Sequence, residues 1–242
     1  MSLMSRSYKQ DCVLAYALDL LGERWTLLIV RELFLGPRRF GDIHAELPGL
    51  GTNLLSKRLK ELEEASIIEG PDGDGRAEYR LSATGERLRP TVRSLMYWSI
   101  EYFMMRDEPS PPREVIYSDD LKPDSVALAV EIFGNLNPEQ QTNYVAHLHI
   151  DEHSYTYYFM ADTLTARRGT DTPAMATIKT DVGTMMRSMR HEISLEQVKE
   201  NSTISGNQDV LDHLLCAISP GGKEEMEVAE LIAKDSATRK KS

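Results

Sequence analysis

Cysteine is scarce in this sequence, and it contains no long apolar run. The two cysteines, Cys12 and Cys216, are too few for a disulfide framework and lack the spacing of metal ligands. No apolar segment approaches the roughly 20 residues that a membrane-spanning helix needs. The N-terminal stretch has no apolar core typical of a signal peptide. These absences predict a cytoplasmic protein that has no membrane partner.

Motifs for catalysis are also missing. The sequence contains no Gly-rich phosphate loop and no GxSxG elbow. His147, His149 and His153 suggest a metal site, but no cysteine or carboxylate stands at ligand spacing, so polar strand positions are favoured. We therefore expect no enzyme, no cofactor and no metal.

Charge is distributed unevenly along the chain. The net charge is −10, yet residues 1–106 hold 15 basic and 15 acidic side chains, so the whole excess lies in residues 107–242. Residues 36–60 carry five basic and two acidic side chains. DNA affinity depends on local neutralisation of phosphates, so this basic segment is compatible with DNA binding. The asymmetry predicts two domains with different partners.

The segment TNLLSKRLKELEE, residues 52–64, is the most informative part of the chain. Leu55, Leu59 and Leu62 recur with helical spacing, and Thr52 is placed to cap the helix after a Gly-rich turn. The opposite face is polar and basic, which suits insertion into the DNA major groove. Taken alone, the segment is better explained as an ordinary solvated amphipathic helix with surface lysines.

The neighbouring segments predict a winged helix-turn-helix. Apolar helices over 12–21 and 23–36 precede a short helix over 38–47, and a Gly-containing turn leads into 52–64. Two short strands then flank a turn at 71–75, which predicts a wing or a plain hairpin. A long apolar stripe over 88–103 indicates a further helix, which Pro90 should kink or restart. This stripe predicts a contact with a second subunit, packing on the first helix, or both.

These motifs resemble the HxlR-type winged helix-turn-helix regulators. The resemblance covers residues 12–98 and is carried by LGERWTLLIVRELFLGPRRFGDI, LPGLGTNLLSKRLKELEEASII, EYRLSATGERLRP and Trp98. It implies a dimeric transcription regulator that binds double-stranded DNA. It further implies DNA contacts from the helix-turn-helix and the wing, namely Arg38, Arg39, Thr52, Asn53, Ser56, Lys57, Arg58 and Arg76.

Cys12 has a separate interpretation. It stands where HxlR-type proteins have a cysteine near the first helix, and some members use that thiol to sense oxidants or electrophiles. Sensing requires a low thiol pKa. Lys9 would favour such a pKa, whereas Asp11 would not, and Val13 replaces the family's usual proline. The alternative is a small apolar residue at the dimer edge.

The second half is predicted to be a separate domain. RDEPSPPRE, residues 106–114, contains three prolines and marks a linker. A helix capped by Asp124, three meander strands over 144–169, a fourth strand and several helices follow. From MATIKTD to LLCAI, this order resembles the sterol-carrier-protein-like domain. The resemblance implies an apolar cavity near Tyr157, Phe159, Met185, Met186 and Met189, and a Met-rich core without a cavity is the equal alternative.

The sequence thus predicts an α+β chain. A winged helix-turn-helix domain over 1–106 is joined by a linker, 107–123, to a sterol-carrier-like domain over 124–220, with a tail over 221–242. The sterol-carrier-like domain would be a twisted, mainly antiparallel sheet with helices on one face. The main hypothesis is a homodimeric regulator that reads a near-palindromic operator and responds to a small apolar ligand. The alternative is a carrier of apolar ligands whose winged domain serves only dimerisation.

Overall fold

The structure is a computed structural model that describes residues 7–71, 77–104, 121–134, 143–160, 163–190 and 192–218. The chain divides into two compact units, Met1–Trp98 and Ser99–Ser242. Most of the predicted linker and the predicted tail lie outside the described residues, so the predicted domain bounds stay a prediction. Among the described residues, no helix has the length and apolar content needed to cross a membrane.

The first unit contains six helices and three short strands among its described residues. Their bounds are α1 (Val13–Leu21), α2 (Thr26–Phe34), β1 (Arg38–Arg39), α3 (Phe40–Glu46), α4 (Thr52–Glu64), β2 (Ile68–Glu69), β3 (Glu78–Leu81), α5 (Ala83–Glu86) and α6 (Arg89–Met104), the last of which continues past Trp98.

The helix-turn-helix consists of α3 and α4, and its wing consists of β2 and β3. These strands pair antiparallel, with Ile68 opposite Leu81, and β1 pairs with the other edge of β3. The sequence pattern predicted that Arg38 and Arg39 lie inside the short helix over 38–47. This was wrong, because both residues pair with β3 before α3 begins. The tip of the wing, residues 72–76, lies outside the described residues.

The leucine stripe of α4 is buried as predicted. Leu55, Leu59 and Leu62 are each at most 2% exposed, and they join α2 side chains such as Ile29 and Leu33 in the core. The predicted cap was wrong, because Gly51 is the N-cap and no side chain caps the helix. Thr52 is instead the first residue of α4. A new helix, α6, begins at Arg89 after the short α5, with Pro90 as its second residue.

The second unit is a five-stranded sheet covered by helices. Its strands are β4 (Tyr144–Ile150), β5 (His153–Met160), β6 (Thr163–Arg168), β7 (Ala176–Thr180) and β8 (Thr203–Gly206), and its helices are α7 (Pro123–Phe133), α8 (Val182–Met189), α9 (Leu195–Glu200) and α10 (Gln208–Ile218). The strand order is β6-β5-β4-β7-β8, and only the β4–β7 pair is parallel among those described.

Buried and partly exposed residues alternate along β4, so one face of the sheet is covered. Tyr144, Ala146, Leu148 and Ile150 are buried, whereas the residues between them are partly exposed. The Tyr157 hydroxyl on the buried face donates to the Ala127 carbonyl of α7 at 2.8 Å. Helix α7 therefore lies over this face.

Asp124 has a different role from the one predicted. The sequence suggested that it caps α7, but Lys122 is the N-cap and Asp124 lies within the first turn. Its carboxylate accepts from the Tyr155 hydroxyl at 2.7 Å and from the Arg168 guanidinium at 2.8 Å. Asp124 thus fixes α7 to strands β5 and β6 of the sheet.

Candidate nucleic-acid interface

One face of α4 is polar and exposed. Thr52, Asn53, Ser56, Lys57 and Lys60 all lie at the surface, opposite the buried leucine stripe. These side chains offer amide, hydroxyl and ammonium groups within the first two and a half turns. Such groups bind phosphates and can read base edges in the major groove.

The lysines of this face are held only weakly within the protein. Lys57 lies 3.7 Å from Glu61, and Lys60 lies 3.8 Å from Glu64, in exposed i,i+4 pairs. Exposed pairs of this kind contribute about 0.3–0.5 kcal/mol. Both ammonium groups can therefore turn to an incoming phosphate at little cost.

Arg58 does not belong to the exposed face, contrary to the sequence prediction. It is 6% exposed, and its guanidinium pairs with Glu23 at 2.6 Å and with Glu61 at 2.5 Å. A DNA contact would require both of these ion pairs to break. In the structure Arg58 thus forms an internal ion pair, and its contact with DNA stays a prediction.

Arg38 is also internal rather than free to contact DNA. It is 8% exposed, and its guanidinium lies 3.7 Å from Glu32 and 3.8 Å from Glu46. Its place in β1, facing these carboxylates, accounts for the burial. The DNA contact from Arg38 likewise stays a prediction.

The next residue in β1, Arg39, is largely exposed. Its side chain is 71% accessible, and its guanidinium lies 3.9 Å from Glu78 of β3. The Asp42 carboxylate accepts from the backbone amide of Arg39, at 3.4 Å, and so fixes the start of α3. Arg76, the remaining predicted contact, lies outside the described residues.

Comparison with known proteins agrees with this geometry. Residues 20–107 match the model of the HxlR-like helix-turn-helix family. The chain is 39% identical over 89 residues to the uncharacterised HTH-type transcriptional regulator YvaP of Bacillus subtilis, covering 36% of this chain and 82% of YvaP. This chain belongs to the HxlR-like helix-turn-helix family. Its relatives are transcription regulators, and the membership indicates a DNA-binding regulator.

Two further HxlR-like relatives show how far the match extends. The chain is 34% identical to the HTH-type transcriptional regulator YodB of B. subtilis, over 36% of this chain and 80% of YodB. It is 42% identical to the regulator Rv3095 of Mycobacterium tuberculosis, over 38% of this chain but only 60% of that protein. The matches thus cover the winged unit.

Cys12 of this HxlR-like chain is exposed at the start of α1. It is the N-cap residue of that helix. Hydrogen bonds from the backbone amides of Ala15 and Leu14 lower the pKa of the Cys12 thiol, because they stabilise the thiolate. In contrast, partial removal from water, together with the nearby Asp212 carboxylate, raises the pKa of Cys216.

The predicted ligand-cavity residues lie in the interior of the second unit. Tyr157, Phe159, Met185 and Met186 are buried, and Met189 is half-buried. Burial, reinforced by Glu131, raises the pKa of the Tyr157 phenol, so that group is neutral at physiological pH.

The histidines of β4 are engaged by neighbouring polar groups. His147 Nε2 lies 2.8 Å from the Thr172 carbonyl oxygen, and His149 Nδ1 lies 2.7 Å from Ser154 Oγ. Within the described ranges, no group of three or more histidine, cysteine or acidic side chains could hold a metal ion.

The opposite pKa shifts of the two thiols predict different alkylation profiles. Since the thiolate is the nucleophile, Cys12 should react with iodoacetamide at lower pH than Cys216 does. Cys216→Ser and Cys12→Ser leave one thiol each, and mass spectrometry can follow their alkylation from about pH 6 to pH 10. Coincident profiles of the two variants would contradict the expected difference.

Proposed function

We propose that this HxlR-like protein is a homodimeric regulator that reads a near-palindromic operator with the exposed face of α4. The observation that carries the proposal is the position of Asn53, Ser56 and Lys57 opposite a fully buried leucine stripe. In helix-turn-helix proteins, residues near the start of the second helix contact the base edges.

The chemistry of the exposed face supports distinct roles for its side chains. Asn53 can form a bidentate pair with adenine, and Lys57 can bind a guanine edge or a phosphate. The hydroxyls of Thr52 and Ser56 and the guanidinium of Arg39 suit phosphate contacts. The N-terminus of α4 adds a favourable dipole for phosphate. Arg76, in the wing, completes the proposed set.

Exposed apolar side chains support the homodimer. On α6, Leu95, Trp98 and Tyr102 are exposed at i, i+3 and i+7, and Trp98 is 58% accessible. On α1, Val13 is 91% accessible and Leu14 is also exposed. Apolar surface of this extent marks an interaction site. Two copies would present two α4 helices to half-sites about 34 Å apart.

We further propose that the second unit binds a small apolar ligand and thereby biases the dimer. The support is the group of buried methionines and aromatic residues between the sheet and the helices, since methionine adapts to irregular apolar guests. The likeness of this unit to the sterol-carrier-protein-like domain stays a prediction. YvaP, YodB and Rv3095 are described as regulators and none as a carrier, so they give the carrier alternative no support.

Removing the proposed base and phosphate contacts should weaken operator binding. We expect the double variant Asn53→Ala/Lys57→Ala to bind DNA without sequence specificity, because each bidentate base contact contributes about 1–3 kcal/mol. The magnitude of the slope of log K against log salt should decrease by about 0.9 for each phosphate that the variant no longer neutralises. Fluorescence anisotropy with DNA from the protein's own promoter region measures both effects.

Lys199→Ala provides the control for this experiment, because it removes a cation from the second unit, where Lys199 pairs with Glu196 and Asp212. It should bind DNA as the wild type does. The regulator proposal fails if wild-type protein binds none of this DNA at low salt, or if the double variant keeps full affinity.

A charge on the exposed α6 stripe should separate the dimer. We expect Trp98→Glu to be monomeric in analytical ultracentrifugation, since burying a carboxylate in an apolar contact carries a large desolvation penalty. Met175→Glu is the matched control, because Met175 is exposed on the second unit. A Trp98→Glu protein that sediments with the wild-type mass would count against α6 as the dimer surface.

Filling the interior of the second unit should block ligand binding. We expect a fluorescent fatty acid to bind wild-type protein saturably, and Met185→Trp to abolish this binding because the larger side chain occupies the space. The exposed Met175→Trp serves as the control. A wild-type protein that shows no saturable binding would favour the dry methionine-rich core instead.

A further inference from the structure

The junction between α1 and α2 has an unusual backbone conformation. Trp25, the N-cap of α2, has φ 81°, in the left-handed region. A bulky residue adopts this conformation rarely, and the surrounding structure must hold it there. The Trp25 ring reaches the turn that precedes α4, where a Cβ on Gly49 would lie 3.9 Å from its outermost carbon.

A second contact from the same junction reaches α4 itself. Glu23 Oε2 lies 2.6 Å from Arg58 Nη2, across 35 residues of sequence, and Arg58 also pairs with Glu61. Only 8% of the Arg58 side chain is accessible, whereas Glu23 is 45% accessible. The junction therefore touches both the turn before α4 and the buried side of α4.

We propose that Glu23 and Arg58 are positioning residues for operator binding, which they support by fixing the orientation of α4. The inference rests on the proposed operator-reading function of that helix. Base readout requires α4 to enter the major groove in one orientation. An ion pair of a buried guanidinium resists rotation of the helix about its leucine stripe, because movement would separate Arg58 from Glu23 and leave only Glu61 of the same helix to balance its charge.

The positioning role and simple electrostatics predict opposite effects on DNA affinity when Glu23 is neutralised. Glu23 is an acidic residue in a unit that binds a polyanion, so neutralising it should strengthen DNA binding if charge alone matters. A positioning role predicts the opposite, a loss of affinity. Arg58→Lys separates the roles of Arg58 itself, because lysine keeps the charge but lacks the planar fork that engages two carboxylates.

The experiment compares Glu23→Gln, Arg58→Lys and Glu64→Gln with the wild-type full chain. Glu64 is the matched control, since it lies on α4 and pairs only with the exposed Lys60 at 3.8 Å among its described contacts. We expect Glu23→Gln and Arg58→Lys to raise the operator Kd about tenfold or more, with an unchanged salt slope. Glu64→Gln should bind as tightly as the wild type or more tightly. Thermal unfolding identifies any variant that is not folded.

Glu23→Asp serves if Glu23→Gln does not fold. It keeps the charge and retracts the carboxylate by one methylene, and it should also bind more weakly than the wild type.

Two results would overturn the positioning role while leaving the regulator proposal intact. One is a folded Glu23→Gln protein that binds the operator as tightly as Glu64→Gln does. The other is a decrease of about 0.9 per subunit in the magnitude of the salt slope for Arg58→Ala, which would make Arg58 a phosphate contact. Wild-type protein that binds no operator would overturn the regulator proposal and the positioning role together.

Discussion

Burial of the leucine stripe on α4 is the constraint on which the proposed DNA-binding surface depends. Leu55, Leu59 and Leu62 are sealed in the core of the first unit, and full burial of a leucine side chain is worth about 1.5–3 kcal/mol. Because the helix cannot rotate without exposing these side chains, its opposite face must point to solvent. Asn53 and Lys57 are therefore presented by packing, and no side-chain cap is needed at the helix start.

The cationic character of the interface is smaller than the sequence suggests. Arg38 and Arg58 are each neutralised internally by two carboxylates, so Arg39, Lys57 and Lys60 are the exposed cations of residues 36–60. Counterion release scales with the phosphates that are neutralised, so each subunit gains less nonspecific affinity than five cations would give. In the proposed dimer, specific base contacts and the second subunit would consequently have to supply more of the binding free energy. Dimerisation would thus be more important to the proposed interface than the sequence alone implies.

The sequence predicted the elements of the fold better than the environments of its charges. Local signals sufficed for α4, since its periodicity is contained within one element. The burial of Arg58 depends on Glu23, 35 residues away, and no local pattern specifies that pair. The sequence nevertheless contains a signal for this burial. Arg58 stands three residues after Leu55 and four before Leu62, on the edge of the buried stripe. The helical position of Arg58 thus indicates burial, whereas its guanidinium chemistry suggests a DNA contact.

The proposed regulation by the second unit has to satisfy an energetic limit. A ligand shifts the dimer only by its differential affinity for two dimer geometries, and a change from about 1:99 to 99:1 needs roughly 5.5 kcal/mol. Each fully buried apolar side chain contributes about 1.5–3 kcal/mol, so differential contacts equal to two or three such side chains would suffice. Helix α6 carries the exposed Trp98 and continues past the end of the first unit, so a covalent route joins the proposed dimer surface to the second unit. Linkage is reciprocal, and operator DNA would therefore have to change ligand affinity by the same factor.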